Sequence, residues 1–251
     1  MTALITGASS GIGRDIARIL GSMGIRLIIS GRNLENLKEL QKEIGMKKVK
    51  IITADISYRE ECIRLYEEAS KYNVDILINN AGFGLYGSFL ETDLERELEM
   101  IDVNITAVHI LTKLFLRDFA KRNKGYILNV ASSAGFMPGP LMSTYYSTKN
   151  YVVRLTEAIH EELRRECSSV YIGAFCPGPV NTNFNRIAGV RFALKGISSE
   201  YAASCAVDGM FSRKPLIIPT ATMKAGVIAS HLVPDTLLSM VTAYMQQKKA
   251  R

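Results

Sequence analysis

Tyr145 and Lys149 are the residues of this 251-residue chain whose types and spacing point most directly to chemistry. Four positions apart, they share one face of any helix that carries both. A phenol ordinarily titrates near pH ~10, so poising it near neutrality means stabilising the phenolate by about 4 kcal/mol, at ~1.36 kcal/mol per pH unit. A cation one helical turn away is the direct means. Such a phenol can give a proton to a carbonyl oxygen or take one from an alcohol. Carbon must then gain or lose a hydride, which side chains do not carry, so the chemistry calls for a cofactor. Taken alone, the pair fits an ordinary surface helix equally well.

The other end of the chain offers a place for that cofactor. Thr6-Gly7-Ala8-Ser9-Ser10-Gly11-Ile12-Gly13 joins a short β-prone run to a helical stretch. Glycines permit turns with positive φ and let backbone approach a phosphate closely. The following helix start would present free N–H groups and a positive dipole end to a pyrophosphate. After the second strand, sheets that bind NAD usually carry an acid for the ribose 2′-hydroxyl. Here Ser30-Gly31-Arg32 stands instead, and the next carboxylate is Glu35. Arg32 could offer a planar, charge-assisted fork to a 2′-phosphate, so the expected cofactor is NADP. The plainer alternative is a solvated loop arginine.

The glycine spacing is GxxxGxG, and further segments follow in a fixed order: Ala54-Asp55-Ile56, Asn79-Asn80-Ala81-Gly82, Asp102-Val103-Asn104, Ser132, Tyr145-Tyr146-Ser147-Thr148-Lys149 and Pro177-Gly178-Pro179-Val180-Asn181-Thr182. Together they resemble the short-chain dehydrogenase/reductase family, over about residues 2 to 185. The resemblance implies a Rossmann-like α/β fold. It also implies cofactor contacts from Gly7, Ser9, Ser10, Gly11, Ile12, Gly13, Asp55, Ile56, Asn80, Ala81, Gly82, Tyr145, Lys149, Pro177, Gly178, Val180 and Thr182, beside Arg32. Tyr145 resembles the general acid/base, Lys149 the cation that lowers its pKa and bonds the nicotinamide ribose, and Ser132 the holder of the substrate oxygen. Asn104 resembles the anchor of a relay water, although a polar residue in a long helix can also cap a local break. Ser132 and Ser133 precede Tyr145 and Tyr146 by equal intervals, and the YxxxK spacing selects Tyr145.

Flanking residues should form an apolar substrate wall: Phe83, Leu85, Phe136, Met137, Leu141, Met142, Pro179 and Phe184, then Ile187, Val190, Phe192 and Leu194. Ordinary core is the competing reading for many of them. Arg186, Arg191 and Lys195 could meet a distant carboxylate or a coenzyme A phosphate, or simply face solvent. The expected function is reversible reduction of a ketone on a bulky apolar molecule of steroid type. The alternatives are a 3-oxoacyl thioester reductase and, more remotely, a nucleotide-sensing regulator that has kept the fold.

These residues need a scaffold, and the hydrophobic pattern describes one. Leu4-Ile5, Leu27 to Ile29, Val49 to Ile52, Ile76 to Ile78, Tyr126 to Val130 and Val170 to Phe175 are short apolar runs suited to a parallel sheet covered on both faces. Helical stretches alternate with them: Gly13 to Met23, Leu34 to Ile44, Arg59 to Tyr72, Leu94 to Arg122 with room for an interruption, and Ser143 to Arg165. Asn33, Ser57, Asp93 and Ser143 are candidate N-caps. A helix from Ser199 to Phe211 and a seventh strand near Pro215 to Pro219 complete a doubly wound sheet of about seven strands. No linker divides the chain, so residues 1–251 read as one domain, with a substrate-loop region at 183–212 and a helical tail at 220–251. The tail leaves three uses open: a cover for the pocket, a dimer face or a rest on a membrane.

Composition narrows the partners. Apolar residues make up 47% and charged residues 22%, an ordinary globular balance. The net charge of +7 is scattered and not interleaved with aromatics, which argues against nucleic acid as a partner. Cys62, Cys167, Cys176 and Cys205 lack any metal-ligand spacing and suggest a reducing, cytoplasmic setting. The run Leu216 to Met240 is broken by prolines and charges and does not read as a membrane span. The expected partners are a small apolar carbonyl or alcohol and further copies of the chain in a homo-oligomer.

Overall fold

The computed structural model describes residues 1–184, 188–189 and 196–247. The first half alternates strands with helices: β1 (Thr2–Thr6), α1 (Gly11–Ser22), β2 (Arg26–Gly31), α2 (Leu34–Ile44), β3 (Val49–Thr53), α3 (Arg59–Ser70), β4 (Ile76–Asn79), α4 (Leu94–Ile101) and α5 (Ala107–Lys121). Then come β5 (Tyr126–Val130), α6 (Ser143–Arg165), β6 (Tyr171–Phe175), β7 (Val180–Asn181), β8 (Ile197–Ser198), α7 (Ser199–Phe211), β9 (Leu216–Ile217), α8 (Ala221–Ser230) and α9 (Asp235–Gln247). The main sheet is seven-stranded and parallel, in the order β3-β2-β1-β4-β5-β6-β9. β7 and β8 form a separate two-residue pairing that the sequence pattern did not announce.

Because strands of such a sheet are buried on both faces, their side chains feed two cores. Leu4, Ile28, Ile52 and Leu77 pack with Leu65 of α3 and with Leu111 and Phe115 of α5. Ile5, Leu27, Ile29 and Ile78 pack on the other side with Ile16 and Leu20 of α1, Leu37 of α2 and Ala202 and Ala206 of α7. Strand order reverses between β1 and β4, the usual place for a nucleotide crevice in an open parallel sheet.

Local details correct three expectations and bear out others. α1 starts at Gly11 rather than Gly13, so the glycine loop itself supplies the first turn. The residue before α3 is Tyr58, while the Ser57 hydroxyl turns back to Asp55 at 2.8 Å. Ser143 lies inside α6, behind Met142. Asn33 and Asp93 do cap their helices, accepting from Asn36 N at 3.0 Å and Arg96 N at 2.9 Å. Finally, the stretch from Leu94 to Lys121 is interrupted by one π-turn at Asp102–Thr106, the segment that carries Asn104. No helix of the described residues is long and apolar enough to cross a membrane.

Beneath the crevice, a buried polar chain ties sheet to helices. Asn79 Nδ2 donates to Asn129 Oδ1 (2.9 Å) and Thr112 Oγ1 (3.0 Å), and Asn129 Nδ2 donates to Thr156 Oγ1 (2.9 Å). Each member is fully buried, so losing one strands its partners without solvent. Asn129→Ala should therefore cost about 2–4 kcal/mol, since each unmet buried polar group costs ~1–3 kcal/mol. Urea unfolding of the two proteins measures it.

Candidate active site

The crevice is closed at its base by contacts between the first and fourth strands. Thr6 Oγ1 accepts from Asn80 N (3.0 Å) and Ala81 N (3.1 Å), while Asn80 Nδ2 donates to Thr6 O (3.0 Å) and Gly7 O (3.2 Å). The fit leaves no room for a side chain at Gly7 or Gly13. A Cβ on Gly7 would lie 2.8 Å from Ala81 Cα, and one on Gly13 would lie 2.3 Å from Asn80 Nδ2. Gly7 also sits at φ +65°, in the left-handed region.

A cavity of about 970 Å³ opens above this base. At one end it is bordered by Gly7, Ser9, Ser10, Gly11 and Ile12 of the loop. Ser10 precedes α1 without capping it, and the first turn of α1 holds no acid, so its free N–H groups and positive end suit an anion. The buried Ser30 hydroxyl, also on the cavity wall, meets no partner among the described residues. These donors fit a dinucleotide pyrophosphate and ribose. Arg32, Asp55, Ile56, Asn80, Ala81 and Gly82 line the same end. Arg32 Nη1 lies 3.0 Å from Glu99 Oε1 and 3.8 Å from Asp55 Oδ2, so the guanidinium sits between two carboxylates, not alone in a loop. Asp55 is steadied by Ser57, whose N and Oγ both donate to Oδ1. Arg96 also reaches the wall, stacked 4.2 Å over the Phe83 ring and paired with Glu99.

The same cavity is bordered by Ser132, Tyr145 and Lys149, with Pro177, Gly178, Pro179, Val180 and Thr182, whose side chain lies against Gly11. Ser132 Oγ accepts from Ala134 N at 3.1 Å and reaches Pro177 O only at 3.4 Å, a loose bond that leaves the hydroxyl free to turn. Lys149 Nζ donates to Val130 O at 2.9 Å and lies 5.9 Å from the centre of the Tyr145 ring. Burial lowers the Lys149 pKa to about 8, with Cys176 opposing weakly. Burial pushes the Tyr145 phenol upward, and a hydrogen bond with Ser132 works against it. Within the protein desolvation is the larger of these effects, and it favours the neutral phenol.

The structure relocates several expected residues. Asn104 does not border the cavity. Its Nδ2 donates to Phe83 O (2.9 Å) and Thr148 Oγ1 (3.0 Å), and its Oδ1 accepts from Phe83 N (3.1 Å). Both amide hydrogens are spent holding the backbone after β4 against α6, which leaves neither for a relay water. Gly13 is sealed off by the Asn80 amide. Phe136 turns into the core beside Val152 and Val153 and stands edge-on to His231, 6.0 Å between ring centres. Leu85 borders a separate void of about 10 Å³, and Leu141 holds Gly87 N through its carbonyl. Phe83, Met137, Met142, Pro179 and Phe184 do line the cavity, with the Phe184 ring 5.3 Å from that of Tyr145. Arg186, Ile187, Val190, Arg191, Phe192, Leu194 and Lys195 lie outside the described residues.

The wall that sequence reasoning missed comes from the tail. Met223 and Val227 of α8, Val233, and Leu238, Val241, Thr242 and Met245 of α9 all border the cavity. Of the three uses left open for the tail, covering the pocket is the one its packing serves. Its apolar periodicity was visible, but nothing local says which surface it meets.

The sequence model of the short chain dehydrogenases matches residues 1–189. The chain belongs to the short-chain dehydrogenase/reductase family. It is similar to a very-long-chain 3-oxoacyl-CoA reductase of Anas platyrhynchos, 28% identical over 99% of this chain and 81% of that protein. A short-chain dehydrogenase from Sphingobium yanoikuyae, solved in complex with NADPH, is 27% identical with a TM-score of 0.83, covering 92% of this chain and 93% of the other. A bulky-bulky ketone specific alcohol dehydrogenase from Comamonas testosteroni is 26% identical with a TM-score of 0.80, covering 92% of each chain. As a family member the chain is an oxidoreductase with a nicotinamide cofactor and a seven-stranded Rossmann-like sheet.

The depressed Lys149 pKa has a thermodynamic consequence. Between about pH 8 and the unfolded value near ~10.4, the unfolded chain holds a proton on Lys149 that the native protein has released, so stability rises with pH across that window. Cys62 and Cys176, both raised by burial, act in the opposite sense at the upper end, so the informative quantity is a difference. The stability of the wild type relative to Lys149→Met should grow from pH 7.5 to 9.5, by at most ~1.36 kcal/mol per unit. Urea titrations of both proteins at each pH give the slope, and a flat difference would show that the lysine titrates normally.

Proposed function

We propose that the chain is an NADP(H)-dependent reductase that interconverts a ketone and a secondary alcohol on a bulky apolar substrate, with Tyr145 as the acid/base. The observation that carries this reading is the single cavity of about 970 Å³ that borders both the glycine loop and the Tyr145–Ser132–Lys149 group. When bound, the cofactor supplies or accepts the hydride. The Tyr145 phenol gives its proton to the carbonyl oxygen in reduction and recovers one in oxidation. Ser132 gives up its long bond to Pro177 O and donates to the same oxygen. Lys149 holds its charge beside the phenol and stabilises tyrosinate as the proton leaves. A role for Asn104 follows from its bonds: it fixes Phe83 and Thr148, and the Thr148 hydroxyl in turn donates to Tyr145 O at 2.7 Å.

The expectation for mutation is specific. Tyr145→Phe keeps the ring and loses the proton donor, so turnover should fall by roughly 10²–10⁴-fold while nucleotide binding persists. Tyr146→Phe should lose no more than about tenfold, because its hydroxyl points away to Gln246. Steady-state rates together with nucleotide titration separate the two tyrosines; the reverse ranking would remove Tyr145 from its role.

Apolar substrates are favoured by the wall. Phe184, Met142, Val227, Leu238, Val241 and Met245 would return ~25 cal/mol for each Å² of apolar surface buried. A polyol would lose hydration there without recovering its hydrogen bonds. The ketone-specific relative from Comamonas testosteroni supports this reading. A second reading, reduction of a 3-oxoacyl thioester, is favoured by similarity to the avian 3-oxoacyl-CoA reductase along nearly the whole chain. The NADP preference rests on Arg32 at the cavity wall and on the relative solved with NADPH.

A panel of diaryl and steroid ketones, 3-oxoacyl thioesters, sugars and small hydroxy acids, each run with NADPH and NADH, tests these points together. Turnover should be confined to the first three classes, with the best class deciding between the readings. Arg32→Ala should lower kcat/KM for NADPH by roughly 10- to 100-fold, the ~1.5–3 kcal/mol of a charged hydrogen bond, and spare NADH. Equal use of both cofactors by the wild type would overturn the NADP assignment, and turnover of sugars alone would overturn the substrate class.

A further inference from the structure

α9 forms one wall of the substrate end, yet its buried residues are a single narrow stripe: Leu238, Thr242 and Gln246, four residues apart. Leu237 and Met240, which do not border the cavity, are exposed. The Thr242 hydroxyl is used inside the helix, on Leu238 O and Ser239 O. Gln246, only 1% exposed, reaches out of the helix: its Nε2 donates to the Tyr146 phenolic oxygen at 2.5 Å, and its main-chain oxygen accepts from the Tyr86 hydroxyl at 3.4 Å. Its Oε1 meets no donor among the described residues.

Tyr146 is itself firmly seated. Its ring covers Gly139 so closely that a Cβ there would lie 2.2 Å from it, and it stands edge-on to Tyr145 with 6.1 Å between centres and 77° between planes. It also borders the cavity, as do Leu238, Val241 and Met245. The bond from Gln246 therefore joins the tail wall to the residue next to the proton donor, a hundred positions away in sequence.

We propose that Gln246 is a positioning residue that sets substrate size: by holding the Tyr146 hydroxyl, it fixes α9 as the wall on which a bulky ketone rests. The inference builds on the reductase reading above. A ketone with two large groups reaches from Tyr145 to Leu238 and Val241, so it depends on that wall. A small ketone beside Tyr145 and Phe184 does not. Gln246 touches neither substrate nor cofactor in this scheme and acts through Tyr146 alone.

The test compares wild type, Gln246→Leu and Gln246→Glu as full-length protein, using a diaryl ketone and a small aliphatic ketone with NADPH. Amide hydrogen exchange over residues 235–247 and the thermal midpoint are measured in parallel. Gln246→Leu should raise KM for the diaryl ketone by roughly five- to tenfold, the worth of about one buried hydrogen bond. It should leave KM for the small ketone within about twofold and speed exchange in α9 by a similar roughly five- to tenfold factor. Gln246→Glu, which in the neutral form that burial favours can donate to the Tyr146 oxygen as the amide does, should restore both quantities toward wild type. Equal effects on the two ketones with a lowered midpoint would mark a merely structural residue and overturn the proposal, as would unchanged exchange in α9. A wild type that reduces neither ketone would overturn the reductase reading and the specificity role with it, whereas normal turnover with no change in Gln246→Leu would overturn the latch alone.

Discussion

The closeness with which the β1–α1 loop presses on the segment after β4 governs everything built above it. Thr6 and Asn80 exchange hydrogen bonds across this seam, and Gly7 and Gly13 admit the opposing backbone where any side chain would collide. Two parallel strands whose order reverses at this point would otherwise diverge and leave their last amides unpaired. The seam closes the floor of the crevice while leaving the N–H groups of the first turn of α1 pointing upward, uncapped. Cofactor affinity and sheet stability are thus tied to the same few atoms.

A second junction transmits that order to the proton donor. The π-turn at Asp102–Thr106 widens the helix enough for Asn104 to reach Phe83 on one side and Thr148 on the other. Thr148 then holds Tyr145 O, so the backbone after β4 and the start of α6 keep a common register. Tyr145 and Lys149 reach the cavity already desolvated, which favours the neutral phenol and makes the ammonium unusually ready to lose its proton. Electrostatic balance at the far end is different in kind. There Arg32 is shared between Glu99 and Asp55, both accessible to water, so attraction for a phosphate is tempered by two local carboxylates and sensitive to salt.

The substrate end takes its apolar character largely from the tail, whose helices lie over the cavity with one side and present Leu237 and Met240 outward with the other. A wall held by one narrow stripe is more easily remodelled than the sheet below it, where each strand is covered twice.

Much of the scaffold was readable because it depends on near neighbours. The periodicity over Leu34–Ile44, Ser143–Arg165 and Ser199–Phe211 marks those helices to the residue, and the caps at Asn33 and Asp93 follow from side chains three positions from their targets. Tyr145 and Lys149 share a helix face by spacing alone, and the glycine loop declares itself by its place after β1. The partners of Asn104, the inward turn of Phe136, the carboxylates around Arg32 and the arrival of Gln246 at Tyr146 were not readable. Each joins segments far apart in sequence, and an apolar or polar pattern states which side of an element seeks a partner without naming it. Only the packed fold, in which volume, burial and hydrogen-bond capacity must be satisfied together, made those choices.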